Sequence, residues 1–155
     1  MRKTSDGSES CTLDGVVLIF FGLEPEKPIY SRLKFQLGLF LFIKELEKRG
    51  YKAQDPHFIP YKDGPYSFEL ARVLQKLIWS SFIEARGEYN KESEELKLTE
   101  KGKNEAMLLI KEKIKEKDLK DLIMFRQSID QFTTDGIIRY VNYKFPEMKA
   151  SYLPS

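Results

Sequence analysis

The sequence predicts a mainly α-helical α+β fold with one small β-hairpin: a winged helix-turn-helix with additional C-terminal helices. Three observations lead there. Apolar residues recur at helical spacing through most of the chain, and two short extended runs flank the polar turn "NKES". Between them, "FIPYKDGPYSFEL" (residues 58–70) breaks the helical pattern with two prolines and a glycine, then restarts a helix at a serine.

The chain has 155 residues, 41% of them hydrophobic, enough for one compact domain burying roughly two thirds of its unfolded surface. "MRKTSDGSES" is polar and aperiodic and reads as a flexible leader over residues 1–10, leaving 11–155 as a single winged-helix domain whose helical extension begins at about residue 103. Twenty-six Lys and Arg against 24 Asp and Glu leave a net charge of +2, so a nucleic-acid surface requires local segregation of charge. Cys11 is the only cysteine, which excludes an intramolecular disulfide and a cysteine metal cluster and suits a reducing, cytoplasmic location.

"LDGVVLIFFGL" (13–23) carries Asp14 and lacks a basic flank with a small-residue cleavage site, so it reads as a buried helix running from about Thr12 to Phe21 and closed by Gly22. No membrane association is expected. The second helix starts near Ile29 or Ser31 and stops at Gly50. Its run Leu39, Phe40, Leu41, Phe42 is apolar all round, which makes it central. "HFIPY" is an extended piece confined to a sheet edge by Pro60. Pro65 pushes Gly64 out of the helical region, and Ser67 caps a third helix with Leu70, Leu74, Leu77 and Ile78 on one face. "FIEARGEYNKESEELKLTEKGK" then gives the hairpin, or wing, and Thr99 opens a helix to about Lys117 with Met107, Leu108 and 110–114 on its apolar side. "DLKDLIMFRQSIDQF" makes another helix, and Thr134 caps a last one stopped by Pro146.

Arg72 and Lys76 lie four apart on the third helix, opposite its leucines, at the spacing to meet backbone phosphates; Tyr66 and Ser67 at the helix start add donors, and Arg32 and Lys34 are the cations that would have to converge on the same face. The plainer reading is a solvated face with Glu69 paired to Arg72, and a Ser67 that only caps. The wing opposes the DNA reading. Between Glu84 and Lys97 it holds five glutamates against Arg86, Lys91 and Lys97, and acid beside a phosphate strand is repulsive.

His57, the only histidine, has no cysteine or carboxylate pair at metal-ligand spacing and reads as a polar residue beside a strand. Asp55 and Asp63 read as turn residues. No Ser-His-Asp or Cys-His set can be assembled, so an enzyme is not expected, nor a cofactor or metal. Tyr140, Tyr143, Phe145 and Tyr152 form either an exposed aromatic patch or, as Ile137, Val141 and Phe145 at i, i+4, i+8 favour, a closing of the core with tyrosines at its edge. The helices from Glu100 to Phe132 offer a homodimer only a narrow apolar stripe between charged residues.

"GPYSFELARVLQKLIWSSFIEA" followed by "LKLTEKGK" resembles the recognition-helix and wing region of PadR- and MarR-type winged-helix regulators. With "RLKFQLGLFLF", "IPYKDGPYSFEL" and the terminal "IIRYVNYKFPEMKASY", the chain more narrowly resembles the YwgA-like proteins and the related Panacea (SocA-like) antitoxin domains over residues 12–152. It departs from them in a short N-terminal helix and an extra leader. The resemblance implies a non-enzymatic module, either a transcription regulator that binds double-stranded DNA or an antitoxin-like or adaptor module that binds a protein.

Overall fold

The computed structural model describes residues 10–149; residues 1–9 of the expected leader over 1–10 and Tyr152 lie outside them, and Ser10, the leader's last residue, is not free but pairs with Lys52 in a short strand. The fold is α+β. Among the described residues, six helices run α1 (Leu13–Gly22), α2 (Arg32–Lys48), α3 (Phe68–Trp79), α4 (Glu100–Lys113), α5 (Glu116–Asp130) and α6 (Thr134–Lys144). The strands are β1 (Ser10–Cys11), β2 (Ile29–Tyr30), β3 (Lys52–Ala53), β4 (Ile59–Tyr61), β5 (Gly64–Tyr66), β6 (Ile83–Arg86) and β7 (Glu95–Leu98).

Local chemistry starts most helices where the sequence suggests. The hydroxyls of Thr12, Ser31, Ser67, Thr99 and Thr133 each accept an otherwise orphaned N–H of the first turn. The last cap is Thr133 rather than the expected Thr134, which is the first helical residue. The helix expected to run to Lys117 ends at Lys113, because Ile114 turns to an extended conformation and buries its side chain while α5 restarts two residues on.

The core forms around α1 and α2, whose apolar residues are buried on every side; no helix among the described residues is long and apolar enough to cross a membrane. Phe20 packs on Phe42, and Phe40 takes the edges of Phe58 and Phe145 at ring-centroid distances of 5.0 and 4.9 Å. α4 packs on α1, Ala106 and Ile110 lying against Gly22, while Met107 and Leu108, expected on its apolar side, are exposed. On α6, Ile137 and Val141 are buried and Phe145 packs on the core, while Tyr143 stays 85% exposed.

β2, β7 and β6 form one antiparallel sheet in that order, with Ile29 opposite Leu96 and Ile83 opposite Leu98. The hairpin that the sequence reading takes as a wing is β6–β7, and the short strand β2 after α1 pairs with β7. A feature not expected is a second hairpin: "HFIPY" does not stand alone, since β4 pairs with β5, Pro60 facing Pro65 across the turn Lys62–Asp63. Gly64 closes that turn with φ +134°, a conformation that residues with a Cβ adopt poorly. β1 pairs in parallel with β3 and ties Ser10 and Cys11, just before α1, to the segment after α2.

Candidate partner-binding groove

The hairpin β4–β5, the start of α3, the start of α2 and the tip of the wing surround an open groove of about 560 Å³. One wall is aromatic. Tyr61 and Tyr66 lie 5.0 Å apart on the hairpin, and Phe68, the first residue of α3, meets both edge-on at 5.8 and 4.9 Å. The other wall is Arg32 and Tyr89, the guanidinium 4.5 Å above the ring.

The position of that second wall is fixed by one ion pair. Arg32 donates from Nε and Nη2 to the two carboxylate oxygens of Glu94 at 2.9 and 3.0 Å, and the Asn90 N–H adds a third donor at 3.0 Å. Such a fork on a carboxylate is the strong kind of charge-assisted pair. It joins the first residue of α2 to the base of the wing turn, and Glu94 is buried behind it. Burial alone would raise the Glu94 carboxyl; the hydrogen bonds from Arg32, the Asn90 N–H and the charge of Arg32 outweigh it and hold the group below the usual glutamate range. Ser31, next to Arg32, takes φ 74° to make this turn, with its N–H donating to the Glu94 carbonyl at 2.8 Å.

The six candidate residues separate. Arg32, Tyr66 and Arg72 line the groove. Ser67 does not: it is fully buried, its hydroxyl donating to the Pro56 carbonyl at 2.6 Å and accepting from Leu70 N–H at 2.9 Å, so neither its donor nor its acceptor is left for a phosphate. The Gln36 amide holds the Ser67 backbone from both sides, at 3.0 and 2.9 Å. Lys34 is spent on the end of α5, donating to the carbonyls of Asp130 and Phe132 at 3.1 and 2.7 Å; burial, with the Arg126 charge, lowers its pKa against the pull of Asp130. Lys76 pairs with Asp14 of α1 at 2.6 Å.

Arg72 is exposed and, among the described residues, pairs with none. Its expected partner Glu69 instead binds the His57 ring at 3.0 Å. His57 sits in a turn with φ 57°, held by its N–H to Asp55 at 2.8 Å. Tyr66 is half-buried; burial, and then the neighbouring Tyr61 and Tyr89, push its hydroxyl pKa up, so it remains a hydrogen-bond donor at neutral pH.

Sequence reasoning missed Tyr61, Phe68, Gln75, Trp79 and Tyr89. A signal was present for two of them. Phe68 and Trp79, with Arg72 and Gln75 between, follow i, i+4, i+7, i+11 on the side of α3 away from Leu70, Leu74 and Leu77. Two large aromatics on the solvent face of an amphipathic helix are unusual, and here they are 50% and 80% exposed. No family model matches the chain, and no curated protein matches it.

Proposed function

We propose that the chain is a non-enzymatic winged-helix module that binds another protein at the groove between α3 and the wing, in the manner of an antitoxin-like or adaptor protein. The strand order β2-β7-β6 supports the winged-helix part: a short strand after the first helix, pairing to the outer strand of a hairpin that follows the third, is that fold's arrangement. α2 and α3 then stand as the helix-turn-helix pair. The resemblance to the YwgA-like and Panacea domains agrees with it.

The observation that carries the protein-binding reading is the face α3 presents. A duplex-reading helix supplies cations and amides to phosphates and base edges; this one presents Phe68, Arg72, Gln75 and Trp79, beside a wing whose exposed tip carries Glu88, Tyr89 and Glu92. Arg32 is neutralised by a buried carboxylate, and Lys34 lies on a different element's end. Exposed aromatics around an arginine are the composition of protein-interface anchors.

DNA regulation is the second reading, favoured by Arg72 and Lys76 lying outward on the same helix. Titration of labelled duplexes at two salt concentrations separates the two. The protein-binding reading expects affinity at the non-specific level, roughly 10⁻⁴ to 10⁻⁶ M at physiological salt, hardly changed by Arg72→Ala with Lys76→Ala. Tight, salt-steep binding whose slope flattens by about two in the double variant would establish the regulator instead.

A further inference from the structure

We infer that the groove takes an extended, proline-rich and acidic segment of the partner, held by side chains rather than by added strand pairing. This rests on the protein-binding reading and names the chemistry of what is bound. The inference starts from what the walls cannot do. One way an extended peptide docks is by adding a strand to a free sheet edge, which requires backbone donors along that edge. The hairpin beside this groove has Pro60 and Pro65 facing one another, and neither has an N–H to give. Pro65 is moreover buried, with Gly64 beside it against Leu37 and Asn142.

What the walls offer is a set of ring surfaces. Tyr61, Tyr66 and Phe68 on one side and Tyr89 on the other form ridges separated by a furrow, and the Tyr66 hydroxyl and the Gln75 amide stand along it as side-chain donors. A polyproline II segment suits such walls. It has no internal hydrogen bonds, shows its carbonyls outward, inserts prolyl rings between aromatic ridges, and loses little entropy because it is already extended. The sign of the charge follows from the ionic groups on the walls. Arg32 and Glu94 cancel, Lys62 and Asp63 are adjacent on the turn, and Arg72 is the cation left unmatched at the groove's α3 side. An acidic side chain between prolines meets it.

A single-stranded nucleic acid would also use rings and an arginine. It is disfavoured by the edge-on packing of Phe68 on both tyrosines, at 79° and 72°, which spends ring faces within the cluster and leaves little room for bases to stack.

The test is an NMR titration of the isotope-labelled full chain with three probes: a blocked peptide repeating Pro-Pro-Glu, one repeating Ala-Ala-Glu, and a single-stranded oligothymidylate. The expected result is saturable shift changes at Tyr61, Tyr66, Phe68, Gln75 and Tyr89 with the proline peptide, at least about tenfold weaker with the alanine peptide. Tyr89→Ala, at the exposed wing tip, and Arg72→Glu, on the exposed face of α3, should each weaken the proline peptide by about tenfold while leaving the rest of the spectrum unchanged. Arg72→Glu should in turn favour a Pro-Pro-Lys repeat. Equal binding of the alanine peptide, shifts outside the groove, no shifts at all, or tighter oligothymidylate binding at these residues would each overturn the inference. If the peptide fails while duplex binding is weak and salt-flat, only the ligand chemistry falls. Salt-steep duplex binding overturns the protein-binding reading itself.

Discussion

Among the described residues, Arg126 is the largest fully buried side chain. Its Nη1 donates to the carbonyls of Phe20 and Phe21 at 2.6 and 3.2 Å, its Nη2 to Lys27, and its Nε to Asp130 at 3.2 Å, while its plane lies over the Phe20 ring. The end of α1 thus gains side-chain donors at the Phe20 carbonyl and at the Phe21 carbonyl, which also accepts the Glu24 N–H at 3.2 Å. Arg126→Met removes these donors and leaves Asp130 without its cation, so urea unfolding should show a loss of about 3–5 kcal/mol; a loss below about 1 kcal/mol would mean that water replaces the guanidinium. Gly64 works through its backbone. An added Cβ finds only ordinary contacts, with Leu37 and Asn142 each at 3.4 Å, so the cost of Gly64→Ala lies in φ and should be on the order of 1 kcal/mol, read as a lowered melting temperature.

Between elements, the wing is attached at both ends. At its base, Gly102 in the first turn of α4 lies so close to the chain before β6 that a Cβ there would fall 2.0 Å from the Phe82 carbonyl oxygen. This is the glycine of "LTEKGK", and it is required because backbone cannot move aside as a flexible side chain does. Gly102→Ala should cost roughly 1–3 kcal/mol or more by overpacking, and a variant as stable as the parent would place that oxygen elsewhere. At its far end the wing is held by Arg32 and Glu94. The folded Glu94 carboxyl titrates below its unfolded value, so its stabilisation is fully present above the ordinary glutamate range and is lost as pH falls through the folded value. Glu94→Gln should therefore cost roughly 1.5–3 kcal/mol at neutral pH. The difference in melting temperature from the parent should close on acidification; a difference that does not change with pH would assign the effect to packing.

Across the whole molecule, polar clips join helices distant in sequence. Tyr51 donates to Asp118 at 2.6 Å and accepts from the Lys115 N–H, while Arg49 reaches the same carboxylate at 3.2 Å, fastening the end of α2 to the start of α5. Burial and the hydrogen bond to Asp118 push the Tyr51 hydroxyl up to about 12, so it stays a donor through neutral and moderately alkaline pH. Tyr51→Phe should lower stability by about 1 kcal/mol, measured by chemical denaturation, without altering duplex or peptide binding, because this clip does not line the groove. Lost binding in that variant would mean that the groove's shape depends on the α2–α5 contact.

The sequence by itself determined that these helices and the β6–β7 hairpin form, and most of the caps, because they depend on residues close together in the chain: hydroxyls three residues before the N–H they accept, leucines one turn apart, and prolines that end a helix; it set the last cap one residue late and ran α4 on to Lys117, past the extended Ile114. It placed α1 and α2 in the core, since a helix apolar all round has no face to give to water. It gave Gly64 its special conformation from the proline that follows. It did not determine the β4–β5 pairing or which cations are free. Arg32 meets a glutamate 62 positions away, Lys34 meets carbonyls 96 and 98 positions away, and Glu69 turns from Arg72 to a histidine that the hairpin brings near. Whether a charge is available to a partner depends on what folding places beside it, and periodicity carries no record of that. The groove has the same origin: its aromatic residues come from α2, the β4–β5 hairpin, α3 and the β6–β7 turn, and only the packing of these segments brings Phe35, Tyr61, Phe68 and Tyr89 to line one groove.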